Sequence, residues 1–100
     1  DAKDEKTQTF TAAYQEAYDG ATPNQFAADA YDAIYIIKAA IEQAEATPDM
    51  SVSDLCEALK VAMTEITVEG VTGTMTWDAS GEPTKEPKAM VIKDGAYSAV

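Results

Sequence analysis

The sequence predicts a mixed α/β chain, which in isolation could equally be classed as α+β, with three helices followed by short strands. Apolar residues recur with a helical period in three segments that precede Thr67. After Thr67 the pattern changes to the alternation that is typical of strands. Near the end of the chain, Asp94-Gly95 separates two short apolar runs, which favours a hairpin.

The first helix is predicted over residues 9–19, after a polar stretch, residues 1–8, that is expected to be frayed. We expect Thr7 or Thr9 to cap the start of this helix and Gly20 to end it. One apolar stripe with helical spacing supports the prediction: Phe10, Ala13, Tyr14, Ala17 and Tyr18.

The second helix is predicted over residues 23–46. Thr22 and Gln25 form a capping-box pattern, and Pro23 stands at the first helical position. The apolar positions of this segment are numerous and rich in alanine. We therefore expect other elements to contact the helix on more than one side.

The third helix is predicted over residues 53–66, with a cap formed by Ser51 and Asp54 together or by Ser53 alone. The helix contains the single cysteine, Cys56. The chain has no histidine to serve as its base, so Cys56 is interpreted as a buried or half-buried packing residue.

Residues 67–82 are predicted to form strand and turn, with the turn over residues 78–81. The proline-containing stretch that follows is expected to be a loop or a sheet edge. Residues 88–100 are predicted to form a hairpin around Lys93-Asp94-Gly95.

The 100 residues are enough for one domain, and they carry a net charge of −11. That charge argues against nucleic acid and anionic membranes as partners, because both require clustered lysine and arginine. No apolar run is long enough to span a bilayer. The first residue is Asp1 rather than methionine, so we expect the chain to begin after a cut, with any signal peptide outside it.

The chain shows no recognisable catalytic, phosphate-binding or metal-binding motif, and we expect neither an enzyme nor a cofactor. Asp29 and Asp32 lie one helical turn apart, as would Glu65 and Glu69 if the third helix continued. Paired acids can perform acid–base chemistry, but these four are interpreted as solvated surface groups.

Aromatic residues are the other candidates for a site. The following could line a pocket for a small ligand or form part of the core: Phe26, Tyr31, Tyr35, Trp77 and Tyr97. The core is favoured for Tyr31 and Tyr35. Phe26 stands at the start of the second helix, where outward-pointing backbone amides favour anions, and this favours a ligand role at that position.

Four motifs occur in a familiar order. They are a helix with Tyr31-Asp32-Ala33, the helix that follows it, one loop with Gly70, Thr72, Gly73, Trp77, Asp78 and Gly81, and an ending with Lys93, Gly95 and Tyr97. From about Phe10 to Val100, the chain resembles the C-terminal portion of a type I periplasmic solute-binding protein of ABC transporters. Within that family it is most similar to the class that binds the branched-chain amino acids Leu, Ile and Val.

The resemblance implies two doubly wound α/β lobes that close on a ligand by a hinge motion, of which this chain would be one part. It implies that Phe26 is an apolar wall for the side chain of the solute and that Asp29 approaches a polar group. Gly70, Gly73, Asp78 and Gly81 would form turns near the hinge. The serine, threonine and acidic contacts for the solute's carboxylate and ammonium groups would lie outside this chain.

The resemblance also implies an amino acid or related solute, an ABC permease as partner, and an extracytoplasmic location, either periplasmic or as a cell-surface lipoprotein. We expect the chain alone not to bind tightly, and its unpartnered apolar surface to drive self-association. Two alternatives remain open: a ligand-sensing receptor domain of the same fold, and a free-standing interaction module.

Overall fold

The structure, a computed structural model, describes residues 4–100. Three helices precede five short strands, which confirms the predicted fold class. In chain order the elements are α1 (Glu5–Ala17), α2 (Gln25–Gln43), α3 (Val52–Met63), β1 (Val68–Gly70), β2 (Gly73–Trp77), β3 (Pro83–Thr84), β4 (Met90–Lys93) and β5 (Ala96–Ala99). No helix in residues 4–100 has the length and apolar character needed to cross a bilayer.

Helix α1 starts earlier than predicted. Residues 1–3 of the segment expected to fray lie outside the described residues, but residues 5–8 are helical. Asp4 is the N-cap, and its carboxylate accepts a hydrogen bond from the Thr7 amide at 2.9 Å. The predicted caps, Thr7 and Thr9, were therefore wrong, because Asp4 supplies a charged acceptor one turn upstream of them.

Helix α2 begins and ends inside its predicted bounds. Asn24, rather than Thr22, is the N-cap, and its side-chain oxygen accepts from the Ala27 amide at 2.9 Å. The helix stops at Gln43 instead of residue 46 because Glu45 takes a left-handed conformation with φ of 50°. That conformation cannot continue a right-handed helix.

Helix α3 is capped by Ser51, one of the predicted caps, whose hydroxyl accepts from the Asp54 amide at 3.1 Å. It ends at Met63, three residues before the predicted end. The prediction for Cys56 was wrong, since its side chain is exposed. Cys56 follows the half-buried Leu55, which places it about 100° around the helix from that inward position.

The strands form two antiparallel sheets. In the first, of order β1-β2-β3, Val68 pairs with Met75, and β3 adds a two-residue edge. In the second, β4 and β5 form the predicted hairpin. Asp94 and Gly95 both have positive φ, 52° and 79°, as a two-residue hairpin turn requires.

The small core lies where α2 and α3 pack on the β1–β2 hairpin. Its buried members are Ala40, Ile66, Val68 and Met75, and they are flanked by half-buried residues of both helices and by Trp77. The β4–β5 hairpin lies outside this core, and its apolar side chains are exposed, with Ile92 at 69% and Tyr97 at 74%.

A long apolar face of α2 also lacks a partner. Four large side chains that are 41–71% exposed follow one side of the helix, and we call them the outer stripe: Phe26, Ile34, Ile37 and Ile41. The Cα radius of gyration is 16.4 Å, against about 13 Å for a compact domain of this length. The described chain is therefore extended and exposes more apolar surface than a compact monomer would.

The outer stripe predicts that the 100-residue chain, produced alone, self-associates. Changing Ile34 and Ile37 to aspartate should lower the average mass measured by light scattering, because two charges would then interrupt the stripe. Val52→Asp is the matched control, since Val52 is exposed but lies on α3, away from the stripe. A wild-type chain that stays monomeric at about 100 µM would contradict the prediction.

Candidate functional site

The carboxylate of Asp32 joins α2 to the β1–β2 hairpin. Asp32 is 2% exposed and is the only polar or charged residue that is buried within residues 4–100. It accepts hydrogen bonds from the amides of Val71 and Thr72, at 2.8 and 2.9 Å, and from the Thr72 hydroxyl at 2.5 Å. The prediction that Asp32 is a solvated surface acid was wrong, because the hairpin turn covers it and supplies its donors.

Gly70 makes room for this contact. A Cβ atom on Gly70 would lie 2.5 Å from Cγ and 2.6 Å from Oδ1 of Asp32, well inside van der Waals contact. A sharp turn was predicted at Gly70, but Gly70 has no positive φ. It is needed because a side chain there would collide with the Asp32 carboxylate. Gly73, at the other side of the turn, does have a positive φ, of 135°.

Lys85, from the segment after β3, reaches back over the same turn. Its ammonium donates to the Thr72 hydroxyl oxygen at 2.6 Å and lies 3.8 Å from the Asp29 carboxylate. Thr72 therefore accepts from Lys85 while it donates to Asp32. This arrangement ties the first half of α2, the hairpin turn and the β3–β4 connection into one polar cluster, which we call the turn cluster: Asp29, Asp32, Thr72 and Lys85.

Phe26 lies beside the turn cluster. It precedes Asp29 by three residues on α2, so the two side chains are neighbours on the helix surface. The ring of Phe26 is 71% exposed, and the side chain of Asp29 is 53% exposed. The two predicted ligand-binding residues are thus adjacent and accessible, with Lys85 next to Asp29.

The other candidate aromatic residues do not join Phe26. Trp77 packs against the core, and Tyr97 is exposed on the separate hairpin. The prediction that Tyr31 and Tyr35 are core residues was wrong, since they are 36% and 49% exposed. The Tyr31 ring contacts Phe10 of α1 and Tyr35, at centroid distances of 4.7 and 5.1 Å, and these contacts leave both tyrosines partly exposed.

Tyr31 and Tyr35 line an open groove of about 600 Å³, whose wall also includes Lys38 and the backbone of β1. The hydrogen bond to the Tyr35 hydroxyl, 3.4 Å away, raises the pKa of Tyr31. The ammonium of Lys6 donates to the carbonyl of Glu69 across one end of the groove. Neither Phe26 nor Asp29 contacts this groove, which makes it a separate surface from the predicted site.

The predicted turn after β2 is stabilised by the side chain of Asp78. Its carboxylate accepts from the Ser80 hydroxyl at 2.6 Å, the Ser80 amide at 2.8 Å and the Glu82 amide at 3.1 Å. These bonds, that from the Ser80 hydroxyl first, lower the pKa of Asp78. Gly81 completes the turn with φ of 88°, and its amide donates to the Asp78 carbonyl at 3.0 Å.

Comparison with protein families identifies the chain. A family model described as periplasmic binding protein matches residues 1–96. The chain belongs to the periplasmic binding protein family. A search of curated proteins gives no match.

A solved structure has the same fold as this periplasmic binding protein chain. It is an ABC transporter substrate-binding protein from Desulfitobacterium hafniense, 23% identical in sequence, with a TM-score of 0.77. The match covers 99% of this chain but 28% of that one. The chain therefore spans little more than a quarter of the length of the solved protein that it matches.

The turn cluster was largely missed by sequence reasoning, although one signal was available. Asp32 shares its side of α2 with Ile36, Ala39 and Ala40, at the fourth, seventh and eighth positions after it. An acid that is followed by only apolar residues on its side of a helix indicates a buried, partnered carboxylate. Lys85 gave no comparable signal, because the surrounding loop sequence has no period.

The overlap between Asp32 and a side chain at position 70 predicts strong coupling between the two residues. Gly70→Ala should destabilise the protein by about 1–3 kcal/mol through overpacking. Asp32→Ala should cost about 2–4 kcal/mol, since it leaves the Val71 and Thr72 amides without an acceptor. In the Asp32→Ala background, however, Gly70→Ala should be nearly neutral, because the carboxylate that it would meet is gone.

Chemical unfolding of the four proteins measures this coupling. Gly20→Ala is the control, since a Cβ there meets nothing within 4 Å but is strained by φ of 82°. Its cost should be the same with or without Asp32. Additive costs for Gly70→Ala and Asp32→Ala would show that the two residues are not in contact.

The lowered pKa of Asp78 predicts a pH-dependent turn. A carboxyl whose pKa is lower in the folded state stabilises that state above its unfolded pKa, and the stabilisation is lost as the pH falls through the folded value. The turn should therefore weaken below about pH 4. An NMR titration that places the pKa of Asp78 above that of the same residue in Ser80→Ala would contradict the assignment.

Proposed function

We propose that this chain is part of the substrate-binding component of an ABC importer, which captures a small solute and delivers it to a membrane permease. The observation that carries the proposal is the match to the periplasmic binding protein family over residues 1–96. The likeness in fold to an ABC transporter substrate-binding protein supports it. In this proposal the protein acts by binding and closure, without covalent chemistry.

We propose further that the chain is the C-terminal portion of a two-lobed protein. The extended shape and the three exposed isoleucines of the outer stripe support this, because both are expected where a sheet from the rest of a lobe would pack. The chain also spans 28% of the solved protein that it matches. Gly73 begins β2, and Asp78 and Gly81 follow it; with Gly70 they are proposed to lie near the hinge between the lobes.

The solute is proposed to bind against the start of α2. Phe26 would provide an apolar wall for its side chain, and Asp29 would approach a polar group. The hydrogen bonds of Asp32, one turn beyond Asp29, hold the first half of α2 against the hairpin turn and so fix the helix that carries Phe26 and Asp29. We propose a branched-chain or related amino acid as the solute and an extracytoplasmic location for the protein.

The proposal predicts that the two-lobed protein binds an amino acid and that Phe26 contributes to the affinity. Titration calorimetry against a panel of branched-chain, polar and aromatic amino acids would identify the solute. Phe26→Ala should weaken its binding by about tenfold to a hundredfold, because the ring would lose its burial against the solute. Val52→Ala, on an exposed apolar residue of α3, should leave the affinity unchanged.

Two results would count against the proposal. A two-lobed protein that binds no member of the panel would contradict the solute class. Tight binding by the 100-residue chain alone would contradict the two-lobed cleft, because half of the proposed contacts lie outside this chain.

A further inference from the structure

The ammonium group of Lys85 is held in a fixed position over the hairpin turn. A Cβ on Gly73 would lie 3.8 Å from both Cε and Cγ of Lys85, so the lysine side chain lies across that glycine. The Lys85 side chain is 32% exposed, against 66% and 71% for Lys38 and Lys60, which form ion pairs within single helices. The side chain of Lys85 is therefore more restricted in its conformation than those of Lys38 and Lys60.

Lys85 and Asp29 lie side by side but do not form a hydrogen bond with each other. The ammonium nitrogen and the carboxylate oxygen are 3.8 Å apart, which is close enough for an ion pair but too long for a hydrogen bond. Within residues 4–100, the bond from Lys85 to Thr72 is the one side-chain hydrogen bond that either residue makes. A donor and an acceptor thus remain side by side at an accessible edge.

The apolar ring of Phe26 adjoins this pair. Phe26 lies one helical turn before Asp29, and its ring is exposed. The combined surface offers Phe26 for apolar contact and, next to it, a hydrogen-bond donor from Lys85 and an acceptor from Asp29. A solute that fits it carries a short apolar stem that ends in a polar group.

We propose that Lys85 and Asp29 together recognise the side-chain end of the solute, and that this end is an uncharged group of the carboxamide type. The carboxamide oxygen would accept a hydrogen bond from Lys85, and its N–H would donate to Asp29. The pair is neutral as a whole, so a charged group beside it would meet one opposite and one like charge and would gain little net attraction to offset its loss of water. The inference rests on the proposed function and, among the amino acids related to the branched-chain ones, selects those with a carboxamide side chain.

Asparagine and leucine test this directly, because their side chains have nearly the same shape and differ in polarity. Calorimetry on the two-lobed protein should show L-asparagine bound at least about tenfold more tightly than L-leucine. Once lobe closure removes water from Lys85 and Asp29, an analogue that cannot pair with them leaves the donor and the acceptor without a partner.

Two variants assign the preference to the pair. Lys85→Met and Asp29→Leu should each reduce the ratio of the two affinities to near one, since each leaves half of the carboxamide without a partner. Lys93→Met is the matched control, because Lys93 lies on the separate β4–β5 hairpin, and it should leave the ratio unchanged. If Lys85 merely supported the fold, its loss would weaken both amino acids equally and the ratio would stay as it was.

Three results would overturn the inference. The first is that leucine binds the wild-type protein as tightly as asparagine. The second is that the ratio of the asparagine and leucine affinities is unchanged in Lys85→Met. The protein could also bind neither amino acid while it binds another member of the solute panel, which would leave the proposed function standing. A protein that binds no solute at all would overturn both.

Discussion

The buried carboxylate of Asp32 is the interaction on which the arrangement of this chain depends. Its oxygens accept three hydrogen bonds from Val71 and Thr72, and they replace the water that the charge loses on burial. The bonds cross 39 and 40 residues of sequence and join the middle of α2 to a two-residue turn. Without them, the small apolar core and the contacts of Lys85 with Asp29 and Thr72 would be left to fix the angle between helix and hairpin.

The surrounding residues are consistent with this single constraint. Gly70 is required because the carboxylate occupies the space where a Cβ would stand. Thr72 links Asp32 to Lys85, since its hydroxyl donates to Asp32 and accepts from Lys85. In a chain of net charge −11, the buried carboxylate accepts its hydrogen bonds from two backbone amides and a hydroxyl, while Lys85 contacts that hydroxyl rather than the carboxylate. The result is a rigid polar edge beside Phe26 at the start of α2.

Features set by nearby residues could be predicted from the sequence. The three helices follow from their apolar period, and the β4–β5 hairpin follows from Asp94-Gly95, whose positive φ values are a local property. The caps were harder, because Asp4 and Asn24 compete with the threonines Thr7 and Thr22 and the choice depends on energies of about 1 kcal/mol.

The turn cluster could not be predicted in the same way. Asp32 and Lys85 both hydrogen-bond to Thr72, which is distant from Asp32 in the sequence and comes close only on folding. The periodicity of the sequence does not indicate such contacts. The role of Gly70 was also inaccessible, since it depends on a side chain 38 positions away in the chain (70 minus 32) rather than on its own φ. Phe26 and Asp29 were reached by resemblance to a family, and the structure brings Lys85 to that pair.

The central claim is that Asp32 fixes the hairpin turn on α2. Hydrogen exchange of the Val71 and Thr72 amides, followed by NMR in the two-lobed protein, tests it most directly. Both amides face a side-chain acceptor instead of a strand partner, so their protection reports on Asp32 itself. The account predicts protection comparable to that of the α2 amides, and its loss in Asp32→Ala. Exchange of both amides at the rate of an unstructured peptide in the wild-type protein would contradict it.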